Sequence, residues 1–109
     1  EKGVVFHTDA VQAIGHIAID VKAMNIDMLS ISAHKFHGPK GVGVLFCRKG
    51  IPLQNLINGG AQERNKRAGT ENLPAIVGMA AAMEDAVANI EKNGAYVSKI
   101  LTELISTVA

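Results

Sequence analysis

The sequence predicts an α/β fold: a mostly parallel sheet with helices, and one strand antiparallel. Short apolar, β-branched runs at residues 3–6, 26–32 and 41–48 read as strands. The second alternates poorly, as strands covered on both faces do in parallel sheets. The third follows it through a short Gly-Pro connection, which suits an antiparallel or edge partner, because a parallel crossover needs a dozen or more residues. Helical patterns fill the C-terminal third. With 48% hydrophobic but only 4% aromatic residues, the core must be made of Ile, Val, Leu, Ala and Met.

In order along the chain, residues 3–6 form a strand that runs into His7-Thr8-Asp9. Residues 10–14 suit one helical turn, stopped by Gly15, and residues 17–19 a short extended piece. Asp20 caps a brief helix over 21–24 with Asn25 at its end. Strands 26–32 and 41–48 flank a loop that carries Lys35. Gly50-Ile51-Pro52 turns the chain, and residues 53–57 have no clear pattern. Residues 58–72 are polar, glycine-rich and irregular, with Arg64, Lys66 and Arg67 able to hold a phosphate or carboxylate. A loop of that length is usually functional or disordered, and a plain solvated loop is the alternative. Asn72 is a good N-cap with Pro74 in the first turn. The helix that follows has an apolar face of Ile76, Val77, Met79, Ala80 and Met83, and Gly78 lets another backbone come close. It is expected to run to about Asn93, where Asn93-Gly94 kinks or ends it, before a second amphipathic stretch over 97–108.

At 109 residues the chain holds one domain at most. A net charge of +1 gives no argument for a nucleic-acid or membrane-surface partner, and polar or charged residues interrupt every apolar run well short of a membrane span. The start lacks an initiator Met and a signal-peptide pattern, and the end falls inside a helical pattern, so a piece of a longer protein is expected. A single Cys47 cannot form an internal disulfide, which fits a reducing, cytoplasmic setting.

The chemistry concentrates in Ser30-Ile31-Ser32-Ala33-His34-Lys35-Phe36-His37-Gly38-Pro39-Lys40-Gly41. A lysine at the mouth of a buried strand can attack a carbonyl once its amine loses its proton. In an extended segment Ser32 and His34 point away from Ala33 and can bind one anion together beside that amine. These parts suit a lysine that holds a phosphorylated aldehyde cofactor; a basic loop with Lys35 and Lys40 merely solvated is the plainer alternative. Asp9 and Gln12 lie three apart where the first strand ends, on one face if a helical turn follows. A buried carboxylate there can keep a pyridine nitrogen protonated, and an amide can donate to a phenolic oxygen. The alternative is that Asp9 only caps the turn.

Other patterns carry less. His7, His16, His34 and His37 lack His-x-x-x-His spacing, paired cysteines and a nearby acidic ligand, so no metal site is expected. Gly38, Gly41 and Gly43 lack the Lys-Ser/Thr ending of a phosphate loop, and no helix follows them. Cys47 sits in an apolar strand and reads as core.

Three blocks together resemble the cysteine desulfurases, in the class V group of pyridoxal-phosphate enzymes. They are His7-Thr8-Asp9-Ala10-Val11-Gln12-Ala13-Ile14-Gly15; Ser32-Ala33-His34-Lys35-Phe36-His37-Gly38-Pro39-Lys40-Gly41-Val42-Gly43; and Gly59-Gly60-Ala61-Gln62-Glu63-Arg64 with Arg67-Ala68-Gly69-Thr70-Glu71-Asn72. The match spans residues 3 to about 82, and the last block favours the desulfurase branch. The resemblance implies that residues 1–109 are part of the large cofactor-binding domain of a type I pyridoxal-phosphate enzyme, with 94–109 leading toward a small C-terminal domain. It implies that Lys35 holds pyridoxal 5'-phosphate through its amine, that Asp9 pairs with the pyridine nitrogen and Gln12 with the phenolic oxygen, and that Ser32 and His34 bind the phosphate. Thr70 resembles the residue that reaches the partner's phosphate across a homodimer interface. The implied reaction takes L-cysteine to L-alanine and leaves sulfur as a persulfide, for a sulfur-acceptor or scaffold protein in iron–sulfur cluster or other sulfur-cofactor synthesis. The family's ring-stacking histidine, mobile cysteine and substrate-binding arginine have no counterpart in this stretch, and Cys47 matches no family nucleophile. A selenocysteine lyase, a class V aminotransferase and a non-catalytic scaffold of the same fold are the alternatives.

Overall fold

The computed structural model describes residues 3–108. Three strands form one sheet in the order β1 (His7–Asp9), β2 (Met28–Ser32), β3 (Gly43–Cys47). β1 pairs parallel with β2, with Asp9 opposite Ser30, and β2 pairs antiparallel with β3, with Ser32 opposite Gly43. The mixed sheet and the antiparallel third strand are as the sequence predicts. Gly43 permits the close pairing, because a Cβ there would stand 2.6 Å from the Ile31 carbonyl oxygen.

The first strand, expected over 3–6, forms instead at His7–Asp9. Val4, Val5 and Phe6 are exposed, so the apolar run is not buried by anything among the described residues. Pairing is decided by the neighbour: the Phe6 carbonyl accepts from the Asp27 and Met28 amides, and its own amide donates to Asp27 Oδ2 at 3.0 Å. Asp27 is fixed in turn by Arg48 Nε at 3.3 Å.

After β1 a helical turn closes through Ala13 and Ile14 amides onto the Ala10 carbonyl. Gly15 ends it with φ +78°, a conformation that favours glycine, and a Cβ there would meet the Ala86 Cβ at 3.0 Å. Asp20 caps the next turn by accepting from the Lys22 and Ala23 amides, at 2.9 and 3.0 Å. The Ala23 amide and then the Lys22 amide lower its pKa below the ordinary carboxylate value.

Helix α1 (Gln62–Asn65) is a single turn with left-handed φ at Glu63, Arg64 and Asn65. Helix α2 (Leu73–Ala88) starts where Asn72 accepts from the Ala75 amide, with Pro74 in its first turn. Its buried positions are Ala75, Met79 and Ala86, spaced four and seven apart on one stripe. Val77 and Ala80, expected on that face, are exposed. Gly78 does admit a close neighbour, but it is the Pro39 ring, whose Cγ would lie 3.0 Å from a Cβ. The helix ends at Asn89, whose side chain donates to the Asp85 carbonyl at 2.9 Å. It does not run to Asn93. Helix α3 (Ile90–Val108) departs at 67° and passes through Gly94 unbroken. An interior glycine costs a helix only about 1 kcal/mol, which the rest of a long helix absorbs.

The core gathers between the sheet and α2: Ala10, Ile26, Leu29, Ile31, Ala33, Phe36, Met79 and Ala86. α3 buries no residue. No single helix among the described residues is long and apolar enough to cross a membrane.

Candidate active site

Strand alternation gives the sheet two faces. Leu29 and Ile31 turn to the core, with Thr8, Phe46 and Val44 beside them in the register. His7, Asp9, Ser30 and Ser32 therefore share the opposite face, with Asp9 and Ser32 at the C-terminal ends of neighbouring parallel strands. Ligands in open α/β sheets bind beyond those ends.

Lys35 rides on a 3₁₀ turn, Ala33–Phe36, and not on an irregular loop. At three residues per turn, positions three apart eclipse. Ala33 and Phe36 thus point inward together, 0% and 2% exposed, while His34 and Lys35 are left facing outward and exposed. The expected opposition of Ala33 to Ser32 and His34 holds in burial but not for the expected reason, since His34 lies in the turn and not in an extended segment. His37 closes the turn in the left-handed conformation, and the Gly38 amide donates to the Ala33 carbonyl at 2.8 Å. Ser32 occupies the cap position with extended backbone, yet its hydroxyl makes no cap hydrogen bond. Among the described residues Lys35 has no ion-pair partner.

Asp9 is exposed, where the sequence reading takes a buried carboxylate. The helical turn that lifts the chain off β1 leaves it at the sheet rim. Its Oδ1 accepts from the Val11 amide at 3.0 Å, so Asp9 does cap the turn. Oδ2 has no hydrogen-bond partner among the described residues, so capping leaves half the carboxylate for another donor. Gln12 is also exposed at this end of the sheet. The sheet and turn thus bring Asp9, Ser32, His34 and Lys35 to one edge, with Gln12 beside Asp9's turn.

Thr70 sits on a different segment, the loop before α2. It lines a cavity of about 300 Å³ with Gly41, Val42, Gly43, Glu63, Arg67 and Asn72, beside the start of β3. The surrounding loop is tied mainly to itself: the Gly69 amide donates to Gln62 Oε1 at 3.0 Å and the Ala68 amide to the Ile57 carbonyl at 3.3 Å. Cys47, read as core, is half-buried at the end of β3 opposite Met28 and outside the core cluster. Strand ends lack neighbours on one side, and the apolar run alone could not show where pairing stops. One interaction escaped the sequence reading entirely. His7 Nε2 and Ser30 Oγ share a hydrogen bond of 2.8 Å across β1 and β2. Only the parallel register, which residue types do not reveal, brings that pair together.

The donor set fits pyridoxal phosphate group by group. An outward, unpaired primary amine faces the same edge as an uncommitted hydroxyl, an exposed imidazole and a half-free carboxylate. Those are the partners of an aldehyde, a phosphate and a pyridine nitrogen.

The family model of the class-V aminotransferases matches residues 1–108. A cysteine desulfurase IscS of Clostridium botulinum is 58% identical over 105 residues, which are 96% of this chain and 26% of that protein. The solved structure of a NifS-like protein superposes with a TM-score of 0.95 at 48% identity, covering 98% of this chain and 29% of the other. The structure of an SspA in complex with cysteine gives a TM-score of 0.72 at 51% identity, covering 74% and 24%. The chain thus spans about a quarter of the length of the curated relatives it matches.

Proposed function

This chain belongs to the class-V aminotransferase family, and on that premise we propose that its parent protein is a pyridoxal-phosphate-dependent cysteine desulfurase. It converts L-cysteine to L-alanine and hands the sulfur on as an enzyme persulfide for iron–sulfur cluster or other sulfur-cofactor synthesis. The carrying observation is the meeting of Lys35, Ser32, His34 and Asp9 at one sheet edge, in a chain 58% identical to a named cysteine desulfurase.

Lys35 holds the cofactor by its amine, Ser32 and His34 take the phosphate, Asp9 the pyridine nitrogen and Gln12 the phenolic oxygen. When bound, pyridoxal phosphate supplies an electron sink that weakens the bonds at the substrate's Cα. Lys35, as the primary amine beside the cofactor, would be the group that moves the proton at that Cα. Asp9 holds negative charge at the ring nitrogen, and the phosphate ligands fix where the ring lies against Lys35. Thr70 serves the partner's site in a homodimer: it sits exposed on a loop held largely by its own hydrogen bonds. Residues 1–109 form part of the large domain, with 94–109 leading toward the small one, and the single cysteine fits a cytoplasmic protein.

The test is full-length protein loaded with pyridoxal phosphate and given L-cysteine, with L-selenocysteine in parallel. With dithiothreitol present to reduce the enzyme persulfide, being oxidised to its disulfide as the outer sulfur leaves as sulfide, equimolar alanine and sulfide are expected. A protein that takes up no cofactor, or one that releases neither product, refutes the reading. The 109-residue chain alone is expected to release neither above free cofactor, because backbone pairing with Met28 fixes its only thiol, Cys47.

A further inference from the structure

Ser30 stands directly opposite Asp9 in the parallel register, on the same face of the sheet. A hydroxyl in that place is a natural donor to the carboxylate, and charge-assisted hydrogen bonds of that kind are the stronger ones. Yet Ser30 Oγ is bonded to His7 Nε2, at 2.8 Å, two residues back along β1. Ser30 is half-buried, and His7 Nε2 is the only side-chain partner its hydroxyl meets among the described residues. The Ser30 hydroxyl donates in this bond when the imidazole carries its proton on Nδ1, the tautomer the experiment below reads. Asp9 meanwhile gives Oδ1 to the Val11 amide and keeps Oδ2.

We propose that His7 is a positioning residue whose Nε2 accepts the Ser30 hydroxyl's hydrogen bond and so keeps Asp9 Oδ2 for the cofactor's ring nitrogen. The proposal rests on the pyridoxal-phosphate reading above. Without His7, the Ser30 hydroxyl turns to the nearest strong acceptor, Asp9, and competes with the ring for it. The defect lies in a freed donor and not in a lost contact, so removing the donor as well should cure it.

The experiment uses full-length protein with pyridoxal phosphate as the probe, in four forms: wild type, His7→Phe, Ser30→Ala and the double variant. Cofactor release is followed by dialysis, and the ring-nitrogen protonation by the ¹⁵N shift of labelled cofactor. A competing hydrogen bond worth about 1 kcal/mol makes His7→Phe release cofactor roughly five- to tenfold faster, with its ring nitrogen shifted toward the neutral form. Ser30→Ala and the double variant should both stay within about twofold of wild type, since neither carries the donor. Long-range ¹H–¹⁵N spectra of the wild type should show the His7 proton on Nδ1. The proposal is overturned if His7→Phe behaves as wild type, if the double variant is as impaired as His7→Phe, or if the proton lies on Nε2. Should His7→Phe not fold, His7→Asn, too short to reach Ser30, replaces it in the same comparison. A wild type that takes up no cofactor overturns the pyridoxal-phosphate reading and this proposal with it; a loaded wild type with an unimpaired His7→Phe overturns this proposal alone.

Discussion

Between β2 and β3 the chain covers residues 33–42, and its opening four-residue turn buries Ala33 and Phe36 in the core. Between β3 and α2 it covers residues 48–72, where Ala68 alone is buried. Both segments carry side chains of the proposed site: Lys35 on the first, Thr70 on the second. The short turn takes its shape from the sheet beneath it and from α2, which packs against it. The long loop takes its shape from its own polar contacts and includes three consecutive left-handed residues, Glu63, Arg64 and Asn65. Left-handed backbone costs a non-glycine residue roughly 1–2 kcal/mol, and it persists where surrounding structure or function demands it. A site residue fixed by its own core can serve its own chain. One held on a self-contained loop is free to be shaped for a neighbour.

The largest effect is expected at the turn. Lys35→Ala in full-length protein should abolish the visible absorption band of lysine-bound cofactor together with turnover. A band that survives and is fixed by borohydride would move the attachment to another lysine and remove the contrast.

Next comes the division of labour between chains. Inactive Lys35→Ala and Thr70→Ala proteins, mixed and allowed to exchange subunits, should form heterodimers with one intact site. For free exchange, activity should recover to about a quarter of wild type. No recovery after demonstrated exchange would assign Thr70 to its own chain's site or to none.

The packing difference gives a smaller effect. Phe36→Ala should destabilise full-length protein by about 3–5 kcal/mol, as large-to-small changes at buried aromatics do, and lower the midpoint of urea unfolding. A loss under about 1 kcal/mol would mean that the turn is held by backbone bonds alone.

Smallest is Arg64→Gly. Relief of left-handed strain should raise stability by up to about 1 kcal/mol, read as a small rise in melting temperature. A fall would show that the Arg64 side chain, and not the loop's backbone, sets its shape.

The sequence shows the Lys35 segment well because its signals are local. An apolar run, a Gly-Pro turn and a second apolar run leave few ways to fold, and β2, the turn and β3 follow. The Asn72 cap is legible for the same reason. What is hidden depends on partners distant in sequence. The start of β1 is set by which residues meet Asp27, so it lies past the apolar run that predicted it. Asn89 and Asn93-Gly94 are both plausible ends for α2, and the choice goes to Asn89 through its side-chain bonds to Asp85. Asp9's exposure and the His7–Ser30 bond follow from register, which alternation alone cannot supply.

Among the described strands only β2 has a neighbour on both sides. Its amides therefore exchange with solvent water only when a flanking ladder or the whole sheet opens, whereas β1 and β3 each have a side that can fray first. Lys35 is attached directly beyond this most protected strand. Heating or mild denaturant should detach the rims, Asp9 included, while the lysine's mooring is still in place. Cofactor would then be gripped at its aldehyde after its ring had been let go, and hydrogen exchange at Leu29 and Ile31 should slow to the pace of its final release.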